Sequence, residues 1–240
     1  MTVEFSTPVP VEAVYGKRNR AVGAIRDVVI GMSDGLMVPF ALAAGISGAV
    51  ASNGIIVAAG MAEIAAGSIA MGLGGYLATR SEMEFYAKKL AHERSEVVDE
   101  PKEAEDEVRG SLADYALSAS DADAILEVMR RNPRLYADFM MKFEIGLLPE
   151  DGGRGFRSAL TIGGAYILGG LIPLSPYILF PSILEGLLVS IGCTLAALFI
   201  FGYVKGRFTG ASPWVSAFQT VFVGALAAAA AFTLAKAITR

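Results

Sequence analysis

Long apolar runs, two of them interrupted by a single acid, flank one charged tract along this chain. Five windows, 28–50, 55–79, 156–174, 181–203 and 215–235, approach or exceed the about 20 apolar residues that cross a bilayer as a helix. Asp34 is the one charge in the first window and Glu63 the one charge in the second. Arg157 stands at the edge of the third and Glu185 near the start of the fourth. The pattern predicts five transmembrane helices, 156–174 being the shortest. Residues 1–19 are polar, bear proline and have no apolar core, so no cleavable leader is expected and the first span acts as its own insertion signal.

The tract between the second and third spans has a different character. Residues 80–98 contain no glycine or proline, which predicts that the second span runs on into water as one helix. Pro101 suits the first turn of a new helix. Ser120 and Asp121 read as a cap before a helix over 122–131. Asn132 and Pro133 read as cap and first turn before a helix over 134–147. Pro149 and the Glu-Asp-Gly-Gly stretch read as the linker back to the membrane. The expected fold is therefore all-α: a polytopic membrane protein of five transmembrane helices with a cytosolic helical bundle inserted between the second and third. Its expected segments are 1–25 (cytosolic N-terminal), 26–80 (spans one and two), 81–155 (the bundle) and 156–240 (spans three to five).

Composition and charge sharpen this picture. At 54% hydrophobic residues the chain carries more apolar surface than a soluble domain of 240 residues needs. Residues 81–157 hold 18 Asp and Glu against 11 Lys and Arg, a balance of −7 in a chain whose total is −4. Lys17, Arg18, Arg20 and Arg26 precede the first span, and Lys205 and Arg207 follow the fourth. Connections 51–54 and 174–180 have no charge. The positive-inside rule then puts the N-terminus and the acidic tract in the cytosol. Cys193, the single cysteine, excludes an intrachain disulfide and reads as a packed small hydrophobe.

Candidate chemistry lies in two places. Intramembrane acids are costly, about 2.5–3.5 kcal/mol on insertion scales, and are functional suspects by default. Asp34 precedes Pro39, which cannot donate to the Gly35 carbonyl, so a carboxylate and a freed carbonyl could form a cation site. Glu63, Gly67 and Met71 recur every four residues on one helix face. In the acidic tract, Glu93 and Glu96 share a face, as do Glu103 and Glu107. Met140 and Met141 stand beside Glu144. Carboxylates with thioethers would suit a transition metal, although spacing alone favours a solvated acidic face with methionines packed inside the bundle. His92, the only histidine, reads as a surface residue. No phosphate-binding glycine loop, nucleophile elbow, zinc-ligand spacing or dinucleotide fingerprint occurs, so an enzyme or an ATP-driven pump is not expected.

Two stretches carry a resemblance. Residues 26–36 (RDVVIGMSDGL) with 38–45 (VPFALAAG), and residues 62–76 (AEIAAGSIAMGLGGY), are similar to the first- and second-span signatures of the vacuolar iron transporter family; 138–144 and 197–203 also fit. The likeness covers the chain from about residue 24 to its end. It implies a homodimer of five-span chains that exports ferrous iron, with manganese the other candidate, in exchange for protons. It implies Asp34 and Met71 along the path, Glu63 as a further essential acid, and Glu93, Glu96, Glu107, Met140, Met141 and Glu144 as bundle ligands. Where the family tends to have a glutamate this chain has Ala104, and Glu103 is the expected substitute. The implied partners are divalent transition-metal ions, protons and the lipid bilayer, without nucleic acid; Fe²⁺ or Mn²⁺ enters as bound substrate, and no cofactor is expected. A membrane-anchored iron buffer or sensor without transport is the competing reading, and a carrier of an organic solute a third. A bacterial cell membrane is favoured and a vacuolar membrane is the alternative.

Overall fold

The computed structural model describes residues 11–147 and 152–238, and among these every regular element is helical. The helices are α1 (Val11–Ser47), α2 (Asn53–Asp99), α3 (Pro101–Asp114), α4 (Ala119–Arg130), α5 (Pro133–Phe139), a π-helical turn (Met140–Glu144), α6 (Arg154–Leu179), α7 (Ile183–Thr209) and α8 (Pro213–Ile238). Five of them, α1 from Ala21, α2, α6, α7 and α8, are long and apolar enough to cross a membrane. The chain forms two compact units. One comprises residues up to Tyr76 and from Phe156 onward; the other is Leu77–Gly155.

In the membrane-spanning unit, the outward faces are apolar. Leu184, Leu188, Ile200, Phe218, Phe222 and Leu226 are all exposed, a distribution that suits lipid and would be an aggregation liability in water. This is a multi-pass membrane protein. Small residues bring the helices close. The inward row of α7 is Gly186, Ser190, Thr194, Leu198, Gly202 and Gly206, and a side chain on Gly202 would meet the backbone of α8 at 2.8 Å. Cys193 departs from its expected role: it lies one residue, about 100°, off this row and is exposed on α7. Gly210, at φ 73°, closes α7 in the left-handed conformation and turns the chain into α8.

Helix α6 is longer than the apolar window. Residues 174–180 read as an uncharged connection, yet α6 continues to Leu179 with Pro173 and Pro176 inside. A substitute hydrogen bond contributes to this. Pro176 has no N–H for the Ile172 carbonyl, and Ser175 Oγ donates to that carbonyl at 3.0 Å. Beside Pro173 the two helices are tied together, Ser190 Oγ of α7 donating to the Pro173 carbonyl at 2.7 Å. Asn53 Nδ2 at the start of α2 donates to the Phe180 and Pro181 carbonyls at 2.8 and 3.1 Å. That bond gathers the two uncharged connections at one end of the unit.

The Leu77–Gly155 unit is a helical bundle built on the continuation of α2, which runs unbroken over 47 residues. Its core holds Ala104, Val108 and Leu112 of α3, Ala122, Leu126 and Met129 of α4, and Tyr136 and Met140. Pro101 does open α3. The cap of α4 differs from expectation: it is Ser118, because Asp121 three residues later completes a reciprocal capping box. Arg130 of α4 grips Glu105 of α3 through two bonds of 2.6 and 2.7 Å. Asn132 caps α5, accepting from the Leu135 N–H at 3.2 Å. The single helix expected over 134–147 is instead α5 followed by the π-helical turn, in which the Ile145 N–H reaches back to the Met140 carbonyl. The wider turn lets adjacent Met140 and Met141 both be buried, at 0% and 1% exposure. The linker over 148–151 lies outside the described residues.

Candidate functional site

Within the membrane-spanning unit, α6 lies between α1 and α2 and carries a residue absent from the sequence-based candidates. Tyr166 is buried, and its hydroxyl donates a hydrogen bond to Glu63 Oε1. The second oxygen of that carboxylate, Oε2, is buried without a partner among the described residues. Glycines permit this approach. A side chain on Gly35 would meet the Tyr166 carbonyl oxygen at 2.4 Å, and one on Gly67 would meet the Tyr166 hydroxyl at 2.5 Å. Asp34, next to Gly35, is half-buried. Tyr166 thus reaches Glu63 from a third helix. Met71 is half-buried eight residues beyond Glu63, about 12 Å along the helix, so the two do not share one ligand shell within the chain.

In the bundle unit, the structure gathers acids from α2 and α3. A cavity of about 240 Å³ is lined by His92, Ser95, Glu96, Asp99 and Glu100 together with Glu103 and Glu107. Glu93 is 3% exposed, and among the described residues its Oε2 and Glu96 Oε1 are buried without partners. Such oxygens invite a cation. Of the expected ligands, then, Glu93, Glu96, Glu103 and Glu107 come together. Met140 packs in the hydrophobic core of the same unit. Met141 is buried. Glu144 ends the π-helical turn; its side chain lies outside those described. Ala104, the departure from the resembled pattern, is in the core with 0% exposure, whereas Glu103 faces the cavity. Asp99, Glu100 and Ser95 line the cavity without having been singled out from the sequence. Their α2–α3 proximity had no signal beyond an acidic run.

The electrostatics of the cluster follow from crowding. Burial pushes the Glu93 carboxyl above the usual range; Lys89 and His92 oppose this, and the charge of Glu107 adds to it. Glu107 is raised by burial and then by the charge and hydrogen bond of Glu96. Glu103 is raised by a hydrogen bond with Glu100 and by its charge. Glu105, held by Arg130, is lowered.

The sign follows from linkage. A raised carboxyl holds its proton longer in the folded than in the unfolded state, so it contributes stability below the ordinary value of 4.5 that is lost as pH rises through the raised one. Glu105 contributes the reverse, with loss confined to acid pH. In the metal-free full-length protein, the 77–155 unit is expected to melt at a lower temperature at pH 7.5 than at pH 5.5. Saturating divalent metal should restore more stability at pH 7.5. Thermal melts at both pH values check this; a metal-free unit more stable at pH 7.5 would refute it.

Comparison with known proteins gives this geometry its context. Residues 25–236 match the sequence model of the VIT family. The chain belongs to the VIT family. It is 52% identical over 214 residues to vacuolar iron transporter 1 of Arabidopsis thaliana, covering 89% of this chain and 86% of that protein. It is 49% identical to vacuolar iron transporter 1 of Tulipa gesneriana, covering 92% and 90%. Against protein CCC1 of Saccharomyces cerevisiae the identity is 36%, over 88% of this chain and 68% of that protein. The VIT family match spans all five membrane-crossing helices and the acidic unit between them.

Proposed function

We propose that this chain carries ferrous iron, with manganese as the other candidate cargo, out of the cytosol by exchange for protons. One observation carries the reading: a chain about half identical to named iron transporters over most of its length holds two acids inside membrane-crossing helices. Acids of the 77–155 unit collect the metal; Asp34, Glu63 and Met71 pass it through the membrane; protons from the far side displace it. No chemical step is involved, so no catalytic residue is assigned. Basic residues before α1 and at the end of α7 place the 77–155 unit in the cytosol by the positive-inside rule.

A homodimer is part of the reading. Ala62, Ala66, Ala70, Gly74 and Ala78 form an exposed small-residue stripe on α2, the type of face on which membrane helices approach closely. A second copy there would bring two sets of Asp34 and Met71 toward one path. The relatives' names favour a vacuolar membrane over the bacterial cell membrane suggested by the short, alanine-rich chain.

Ferrous iron uptake into proteoliposomes, with and without an imposed pH gradient, tests the proposal. Uptake that depends on the gradient is the expected result. Iron bound without uptake under either condition would replace it with the buffer or sensor reading.

A further inference from the structure

The acidic cluster of the 77–155 unit includes one donor that is not a carboxylate. His92 Nε2 lies 3.7 Å from Glu96 Oε2. One ligand atom each from His92, Glu93 and Glu96 fall within 4.8 Å of one another. Donors bound to one transition-metal ion stand about 2.0–2.2 Å from it, so two of them are separated by at most about 4.4 Å. The three groups are therefore within a small contraction of a shared ion. Two buried oxygens, Glu93 Oε2 and Glu96 Oε1, have no partner among the described residues, and Glu93 is itself nearly inaccessible.

We infer that His92 supplies an imidazole nitrogen to the metal held by Glu93 and Glu96, and that this nitrogen biases the cluster toward borderline transition metals. The inference rests on the reading of this unit as a metal collector. Carboxylates alone form a hard oxygen site that magnesium or calcium can occupy as well as iron. Thioethers would shift that preference in the same direction; Met140 and Met141 are both buried, whereas His92 lines the acidic cavity itself. The ring of His92 is 63% exposed, so it can swing over the buried carboxylates as the ion enters. Ser95 Oγ, which donates to the His92 carbonyl at 2.7 Å, leaves the imidazole nitrogens untouched. The competing account is a plain surface pair between His92 and Glu96 at i,i+4 spacing.

Metal binding by the full-length protein in detergent separates these accounts. Mn²⁺ bound to the wild type is expected to show pulsed-EPR modulation from a directly bound nitrogen, lost in His92→Gln. The same variant should bind Co²⁺ at least about tenfold more weakly while its Mg²⁺ affinity stays within about twofold. Bound Mn²⁺ without nitrogen modulation, or unchanged Co²⁺ affinity in His92→Gln, would overturn the inference while leaving the metal-collecting reading intact. A wild type that binds no divalent ion would fail that reading itself and the inference with it.

Discussion

Replacing Asp34 by asparagine is expected to reduce gradient-driven iron uptake at least about tenfold while leaving metal binding by the 77–155 unit unchanged. The argument is one of charge against shape. Asparagine fills nearly the volume of aspartate, so the contact of Gly35 with the Tyr166 backbone and the packing of α1 against α6 persist. What disappears is the only formal charge between residues 28 and 50. A carboxylate can hold a divalent cation or a proton; an amide can exchange neither. Since an intramembrane acid costs about 2.5–3.5 kcal/mol on insertion scales, the variant should be no less stable than the wild type. Proteoliposome uptake alongside a thermal melt makes the check. Normal uptake by a folded variant would remove Asp34 from the path, and lost uptake with lost stability would point to a structural role.

A large effect on stability is expected from Gly35→Ala. The added methyl would stand 2.4 Å from the Tyr166 carbonyl oxygen and 2.8 Å from its Cα. Both are backbone atoms, so no rotamer change relieves the clash and α6 must move away from α1. Overpacking of this kind costs about 1–3 kcal/mol, and here it also displaces the residue whose hydroxyl holds Glu63. Gly192→Ala in α7 is the control, since nothing lies within 4 Å of its added methyl. Its helix propensity should make the control neutral or stabilising by up to about 1 kcal/mol. Melting of the detergent-solubilised full-length protein should therefore fall for Gly35→Ala and not for Gly192→Ala. Equal melting of both would mean that α1 and α6 do not pack as described.

The residues that were legible in the sequence share a property. Asp34 and Glu63 are visible because each interrupts an apolar run, and that cost is readable without knowing any contact. The five spans, the unbroken extension of α2 and the first turn of α3 follow from hydropathy, the absence of glycine and proline, and the placement of Pro101. These are local properties of consecutive residues.

Tertiary structure decided everything that depends on which faces meet. Tyr166 is one aromatic residue in an apolar span until packing brings it to Glu63, 103 residues away. Helix α6 continues past two prolines, with Ser175 taking up the carbonyl that Pro176 leaves free and Ser190 of α7 bonding the chain at Pro173, contacts that no single residue announces. Met140 and Glu93 both read as ligands. The fold buries both, and among the described residues it leaves the glutamate with an unpartnered oxygen. His92 looked like a surface residue and is exposed, yet helical geometry sets it beside two buried carboxylates. The physical reason is common to all of these. Hydropathy and capping act through the chain's own neighbours, whereas lateral contacts depend on the rotation of each helix about its axis, which only close packing against the others determines.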